Sequence, residues 1–183
     1  MSRPAAFLDR DGVINVDHGY VHRWEDFEFV PGVVDGLRRL QAAGYALVIV
    51  TNQSGIARGF YDEDALGRLH DALRADLAAK GVTLTSIEYC PHLPPPHAEL
   101  ARYAIDCDCR KPAPGMILRA ARAHDLDLAR SLLFGDRATD LEAGRRAGVG
   151  RCVLLAADAK PGPQPVDYLN LPEALDALSV PAA

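Results

Sequence analysis

The sequence predicts an α/β domain of three layers, with a mainly parallel sheet between helices. Short continuous apolar runs alternate along the chain with stretches whose apolar residues recur at helical spacing. Gly, Pro and Asp punctuate the boundaries. This is the pattern of a parallel sheet covered by helices. The 183 residues suit one domain, read here as 1–183 with no internal repeat or inter-domain linker, and 49% hydrophobic residues suffice for a sizeable core.

Ala5 to Leu8 is the first apolar run and the first buried strand. A polar, aromatic loop follows from Asp17 to Trp24, and Glu28-Phe29-Val30 reads as a short strand. Pro31 opens a helix with Val33, Val34, Leu37 and Leu40 on its apolar face, and Gly44 ends it. Ala46 to Val50 is a second buried strand. The next helix has the clearest signals: Asp62 as N-cap, Leu66, Leu69, Leu73 and Leu77 on one face, and Gly81 at its close. Leu84 to Tyr89 reads as a third strand. From Cys90 to Lys111 periodicity is lost, and Pro94-Pro95-Pro96 forbids a helix. A loop of that length inside a domain is usually functional or tied down. Pro114 and Gly115 lead into a helix with Met116, Ile117, Ala120 and Ala121. Ser131 to Phe134 is a fourth strand. Thr139 or Asp140 starts a helix that Gly148 terminates, and Cys152 to Leu155 is a fifth strand. The Pro/Gly loop from Lys160 to Pro165 leads to Tyr168-Leu169 and a last helix, Pro172 to Leu178.

The formal net charge of −5 argues against a sequence-independent nucleic-acid binder, which needs a basic face. No stretch approaches the ~20 apolar residues that span a bilayer, so no membrane partner is expected. Met1-Ser2-Arg3-Pro4 runs straight into the first strand and leaves no room for a signal peptide. The expectation is a cytoplasmic protein. No apolar stripe is left over for a large interface, which points to a monomer.

The first strand ends in Asp9-Arg10-Asp11-Gly12. Two acids at the end of a buried strand are costly unless a metal ion or hydrogen bonds compensate them. In extended geometry residues i and i+2 point the same way, so Asp9 and Asp11 can converge on one reacting group. Further polar residues close the other apolar runs: Thr51 and Asn52 after the second, Asp136 after the fourth. Each has a plainer reading. Thr51-Asn52 can begin a turn, Asp136 can cap a helix, and Lys111 can be a surface lysine. Their joint placement at strand C-termini makes a site, because ligands of open parallel sheets bind there.

The chemistry suggested is phosphoryl transfer with Asp9 as nucleophile. A carboxylate attacking a phosphate dianion needs a cation. Mg²⁺ takes one or two carboxylates plus phosphate and waters, and Asp9, Asp11 (through a backbone carbonyl near it) and Asp136 are the candidate ligands. Asp11 would protonate the leaving alkoxide and then activate water. Thr51, Asn52 and Lys111 would hold the phosphoryl oxygens.

Asp9-x-Asp11-Gly12, Thr51-Asn52, Lys111 and Gly135-Asp136, in this order, resemble the four motifs of the haloacid dehalogenase (HAD) superfamily of phosphotransferases. The resemblance spans nearly the whole chain. It implies a Rossmann-like fold with strand order 5-4-1-2-3, which brings Asp9 and Asp136 together. Larger members carry inserted cap domains. Asn15 to Val30 is too short for one, and Thr51 to Lys111 is filled by a helix, a strand and the irregular loop, so no large cap is expected.

That loop holds Cys90-Pro91-His92 and Cys107-Asp108-Cys109. Three thiolates and an imidazole are a tetrahedral Zn²⁺ set, with all four positions filled and hence structural. Reduced, unliganded cysteines are the alternative. His97 is the rival imidazole and lacks the short spacing to Cys90. Asp106 and Asp108 could support the ligands from behind, and Cys152 reads as a core residue. Zinc would fix the loop that delivers Arg110 and Lys111.

Without a cap, the substrate is enclosed by loops, which suits a polar, sugar-like phosphate ester. Phe7 to Asn15, Asp17 to Val21, Thr51 to Gly59 and Cys107 to Pro112 resemble the zinc-loop sugar-bisphosphate phosphatases of the superfamily that act on a heptose 1,7-bisphosphate. That resemblance implies removal of the 7-phosphate, on the route to nucleotide-activated heptose for lipopolysaccharide core. It also implies substrate contacts by Asp17, His18, Gly19, Tyr20, Thr51, Asn52, Gln53, Ser54, Arg110 and Lys111. Arg137 stands where relatives often carry lysine and is assigned a contact on that basis. Arg58, Arg110 and Arg137 at the pocket mouth suit a second phosphate. Histidinol-phosphate phosphatase is the alternative, since it shares the fold and a similar loop. A non-catalytic zinc-stabilised binding module is the alternative of a different class, and a nucleic-acid 3′-phosphatase a third.

Overall fold

The computed structural model describes residues 2–162 and 165–182. Pro163 and Gln164, within the predicted Pro/Gly loop, and Met1, at the predicted leaderless start, lie outside the described residues. The strands are β1 (Ala5–Leu8), β2 (Ala46–Asn52), β3 (Ser86–Cys90), β4 (Leu132–Gly135) and β5 (Arg151–Leu154). The helices are α1 (Val33–Ala42), α2 (Glu63–Ala79), α3 (Gly115–His124), α4 (Ala138–Ala147) and α5 (Leu171–Ala177).

The five strands form one sheet of order β3-β2-β1-β4-β5, and all four pairings are parallel. This is the predicted order. Successive residues point to opposite faces of a strand, and the inner strands β1, β2 and β4 bury both faces. Ala6, Leu8, Leu47 and Ile49 pack with Val33, Leu37 and Leu40 of α1 and Leu171 and Leu175 of α5 on one side. Ala5, Phe7, Val48 and Val50 pack with Met116 and Ile117 of α3 and Leu141 and Ala143 of α4 on the other. That is why these strands read as continuous apolar runs rather than alternating ones. Val33, Leu37 and Leu40 are each at most 1% exposed, and such burial contributes about 1.5–3 kcal/mol per side chain. No inserted cap domain interrupts the described residues.

Caps follow the residue types. Asp62 accepts from Ala65 N–H at 2.8 Å at the start of α2, and Asn170 accepts from Glu173 N–H at 2.9 Å at the start of α5. Gly148, in the left-handed region at φ 86°, ends α4. Near the first strand, the structure departs from prediction at two places. Glu28-Phe29-Val30 is not a strand; Phe29 makes an isolated antiparallel bridge with Asn15. The first helix begins at Val33, because Gly32 at φ 79° turns the chain after Pro31.

The sheet order positions the site. From β1 the chain runs outward through β2 and β3, then crosses back to β4 beside β1. Leu8 pairs with Ile49 on one side and Phe134 on the other. The residues just beyond these pairs are therefore brought together at one switch point.

Candidate active site

Asp9 follows β1 directly, and its N–H bonds to Phe134 O of β4 at 3.0 Å. Asp136 follows β4. Gly12 lets them meet: it sits at φ 89°, and a Cβ there would stand 2.4 Å from Asp136 Oδ2. Carboxylate oxygens of Asp9, Asp136 and Asp140 lie within 4.8 Å of one another. Asp140 was not singled out by the sequence reading except as a possible helix start. It lies in the first turn of α4, where its Oδ2 accepts from Arg137 N–H at 3.0 Å, and its Oδ1 pairs with Lys111 Nζ at 2.7 Å.

Lys111 closes the floor. Its ammonium also donates to Asp9 Oδ1 at 2.8 Å and to Val50 O at 2.8 Å. All three of its hydrogens thus have protein partners. Lys111 acts here as fixed positive charge beside Asp9 rather than as a free donor, a difference from the simple phosphate-holding role. Its backbone is clamped by Asn52, which accepts from Lys111 N–H at 3.0 Å and donates Nδ2 to Lys111 O at 3.2 Å.

Both side-chain hydrogen bonds of Asp9 fall on Oδ1, one from Arg10 N–H and one from Lys111. Among the described residues Oδ2 has no such bond. Burial pushes the Asp9 carboxyl up to about 8; Lys111 pulls against this, and Asp140 and Asp136 add like charge. Burial, then Asp140, raises Asp136 to about 6. For Lys111, burial opposes the charge, but Asp9 and Asp140 outweigh it and hold the group above the ordinary lysine range. Asp136 Oδ1 is buried with no hydrogen-bond partner among the described residues. Three crowded, buried carboxylates with one orphaned oxygen fit a divalent cation with oxygen ligands.

Asp11 points elsewhere. Its carboxylate is outside the three-acid cluster, which leaves the backbone carbonyl near it as the group it could offer a metal. Oδ1 accepts from Arg10 and Asn15, and Oδ2 from Arg10 and Gln53. Gln53 in turn donates to Thr51 Oγ1 at 2.8 Å and accepts from Tyr61 Oη at 2.6 Å.

These groups line a cleft of about 480 Å³. Of the predicted contacts, Asp17, Gly19, Tyr20, Thr51, Asn52, Gln53, Ser54, Arg110, Lys111 and Arg137 line it. His18 does not: it turns outward to Glu28, with Nε2 3.1 Å from Oε2. Arg58 is also absent from the lining, so the mouth cations are Arg110 and Arg137. Arg137 reaches Asp17 at 3.4 Å, and Arg110 Nη1 donates to His92 O at 3.3 Å. Tyr61 and Thr139, neither expected as a substrate contact, line the cleft too.

The irregular loop gathers Cys90, His92, Cys107 and Cys109, with all four ligand atoms within 4.8 Å of one another. Cys109 Sγ is 3.0 Å from Cys90 Sγ and 3.2 Å from Cys107 Sγ; His92 Nδ1 is 3.4 Å from Cys109 Sγ. Ligands of a tetrahedral zinc at ~2.3 Å would stand ~3.8 Å apart, so the set is of the right size. His97 has no place in the cluster. Cys152, in β5, is only partly buried and packs at the margin of the core on the α3/α4 side.

Comparison with known proteins bears on this site. A family model described as "HAD-hyrolase-like" matches residues 108–163. The chain is 49% identical over 152 residues to a D-glycero-beta-D-manno-heptose-1,7-bisphosphate 7-phosphatase of Photorhabdus laumondii, covering 83% of this chain and 80% of that one. It is 50% identical over 157 residues to the protein of the same name from Vibrio cholerae, covering 85% and 82%. Among solved structures, a HAD-like phosphatase from Mesorhizobium loti matches with TM-score 0.84 and 35% identity, over 98% of this chain and 86% of that one. The D,D-heptose 1,7-bisphosphate phosphatase of B. bronchiseptica, complexed with magnesium and phosphate, matches with TM-score 0.76 and 33% identity, over 96% and 98%.

Proposed function

We propose the reaction from one premise: this chain belongs to the D-glycero-beta-D-manno-heptose-1,7-bisphosphate 7-phosphatase family of HAD-like hydrolases. It is a phosphoric monoester hydrolase that removes the 7-phosphate of a heptose 1,7-bisphosphate. The observation that carries this is the convergence of Asp9, Asp136, Asp140 and Lys111 at the adjoining ends of β1 and β4. Histidinol phosphate, the other candidate substrate, has less support. The relatives are named for the sugar bisphosphate, and Arg110 and Arg137 at the mouth suit a second phosphate.

Asp9 Oδ2 attacks phosphorus, and the bond from phosphorus to the sugar oxygen breaks. Asp11 gives its proton to that oxygen, then takes one from the water that attacks the aspartyl phosphate. The water's oxygen bonds to phosphorus, the Asp9 ester breaks, and inorganic phosphate leaves. Thr51 Oγ1 accepts from Gln53, which leaves its own proton for a phosphoryl oxygen. The Asn52 backbone N–H adds a second donor. Lys111 places its charge behind Asp9. Asp9 and Asp136, with Asp140 beside them, would hold Mg²⁺, whose positive charge would offset repulsion between carboxylate and phosphate.

Cys90, His92, Cys107 and Cys109 would hold Zn²⁺ as a structural staple for the loop that ends in Arg110. Asp17, Gly19, Tyr20, Ser54, Arg110 and Arg137 contact the rest of the sugar, with Arg110 gripping the second phosphate. We read residues 1–183 as a single domain, monomeric and cytoplasmic; no helix of the described residues is long and apolar enough to cross a membrane. The test is kcat/KM on both heptose bisphosphate anomers, fructose 1,6-bisphosphate and L-histidinol phosphate. We expect the beta heptose bisphosphate to lead. A preference for histidinol phosphate would replace the proposed substrate.

A further inference from the structure

Arg10 is the residue between the nucleophile and Asp11, where the motif itself specifies no residue type. It is also, among the described residues, the only charged side chain with 0% exposure. Burying a guanidinium is costly unless its donors are met, and here they are met in a particular way. Nη2 donates to Asp11 Oδ1 at 2.9 Å and Oδ2 at 3.1 Å, and Nε reaches Oδ1 at 3.3 Å. Nη2 donates as well to Val21 O at 2.6 Å. Nη1 faces His70 Nε2 at 3.4 Å. Burial and the Arg10 charge hold the His70 ring down to about 3, so it is neutral and accepts from Arg10.

One planar group therefore joins three elements. Through Nη1 it meets α2, at His70. Through Nη2 it meets both the carboxylate of Asp11 and the carbonyl that closes the Asp17–Val21 loop, which carries the cleft residues Asp17 and Tyr20. Asn15 and Gln53 each give Asp11 one donor. Arg10 alone spans both oxygens and fixes the carboxylate plane. A lysine would supply the charge without the fork.

We infer that Arg10 is a positioning residue: it aims the Asp11 carboxylate at the leaving oxygen and sets that carboxylate's distance from the substrate loop. This rests on Asp11 being the acid and base. The inference also accounts for a charged residue in the spacer position of the first motif, where burial would otherwise favour an apolar one.

The test compares two esters, with magnesium present, through kcat/KM, which reports formation of the aspartyl phosphate. The heptose bisphosphate has an alkoxide leaving group that needs a proton. p-Nitrophenyl phosphate releases a stable phenolate that does not. Arg10→Lys is expected to lose about 100-fold on the sugar ester and less than about 5-fold on the aryl ester. Asp11→Asn should show the same selectivity, and the double variant should be no worse than Asp11→Asn alone on the sugar ester. Equal losses of Arg10→Lys on both esters, or additive losses in the double variant, would overturn the inference while leaving the role of Asp11 standing. Full sugar-ester turnover by Asp11→Asn would remove the acid/base reading and this inference with it. Arg10→Gln serves as the second variant. If neither Arg10 variant folds by circular dichroism, the residue serves folding and the inference falls.

Discussion

Cys109 and Lys111 are two residues apart, yet they belong to regions held by different forces. Lys111 lies on the floor of the cleft. There the sheet does the placing: β1 and β4 are in register, Asp9 is tied to Phe134 O, and Asn52 clamps the Lys111 backbone on both sides. Cys109 closes a loop with little repeating backbone structure. Scattered hydrogen bonds hold it: Leu93 with the Tyr103–Ile105 segment, Glu99 and Leu100 N–H to Ala57 O, Arg110 Nη1 to His92 O, and the Tyr103 hydroxyl to Glu63. The floor has its geometry before any metal arrives, and what it lacks is positive charge. The loop has its ligands, and what it lacks is a fastener. A metal should change energetics in the first and order in the second.

The largest effect expected belongs to the floor. Asp9→Asn should lower turnover by about 10⁴-fold or more, since no other group can form the ester. It should leave the fold intact, because a neutral amide replaces a carboxyl that burial already disfavours as an anion. Circular dichroism and a thermal melt check the second half. A variant that is inactive because it is unfolded would break the contrast between the regions.

Cys109→Ser probes the loop. It should abolish retention of about one zinc per chain, measured by metal analysis, and lower the melting temperature. The catalytic penalty should appear mainly in KM, on the order of 10-fold, through Arg110, with kcat changed far less. The reason is that Asn52 holds Lys111 independently of the cysteines. A collapse of kcat to the level of Asp9→Asn would show that the floor depends on the loop after all.

The smallest effect is electrostatic. Asp9 and Asp136 have folded-state pKa values raised to about 8 and about 6 from an ordinary 3.8. The folded protein thus binds these protons more tightly than the unfolded chain. Without a metal, they contribute stability at low pH that is lost as pH climbs through 6 and 8. Mg²⁺ competes with those protons, so its stabilisation should grow from pH 5 to pH 8, read as a shift in Tm at fixed Mg²⁺. A shift independent of pH would mean the cation does not sit among these acids.

Much of this was legible in the residues. The inner strands β1, β2 and β4 are buried on both faces, so they appear as unbroken apolar runs, and Asp62, Gly81 and Gly148 mark helix ends by their own conformational preferences. The cysteine cluster declared itself because paired ligands with one-residue spacers must lie close wherever the loop goes. Boundaries were marked less sharply: β4 and β5 each begin and end one residue from the expected place, since an apolar run does not say which residue first finds a ladder partner.

The residues that escaped are those whose partners are distant in sequence. Asp140 reads as an ordinary first-turn acid of a helix, and only the packing of α4 against β4 turns its second oxygen to Lys111. Arg10 reads as a spacer until the turn after β1 folds it under Asp11 and against His70, sixty residues away. His18 shows the reverse, a residue inside a well-marked loop that turns out to solvent. The sequence by itself determined which groups stand at strand ends, because periodicity and caps are local and fix where each strand stops. Only the tertiary structure decided which oxygen or nitrogen each group offers to the site, because side-chain direction is set by contacts between elements that no local pattern encodes.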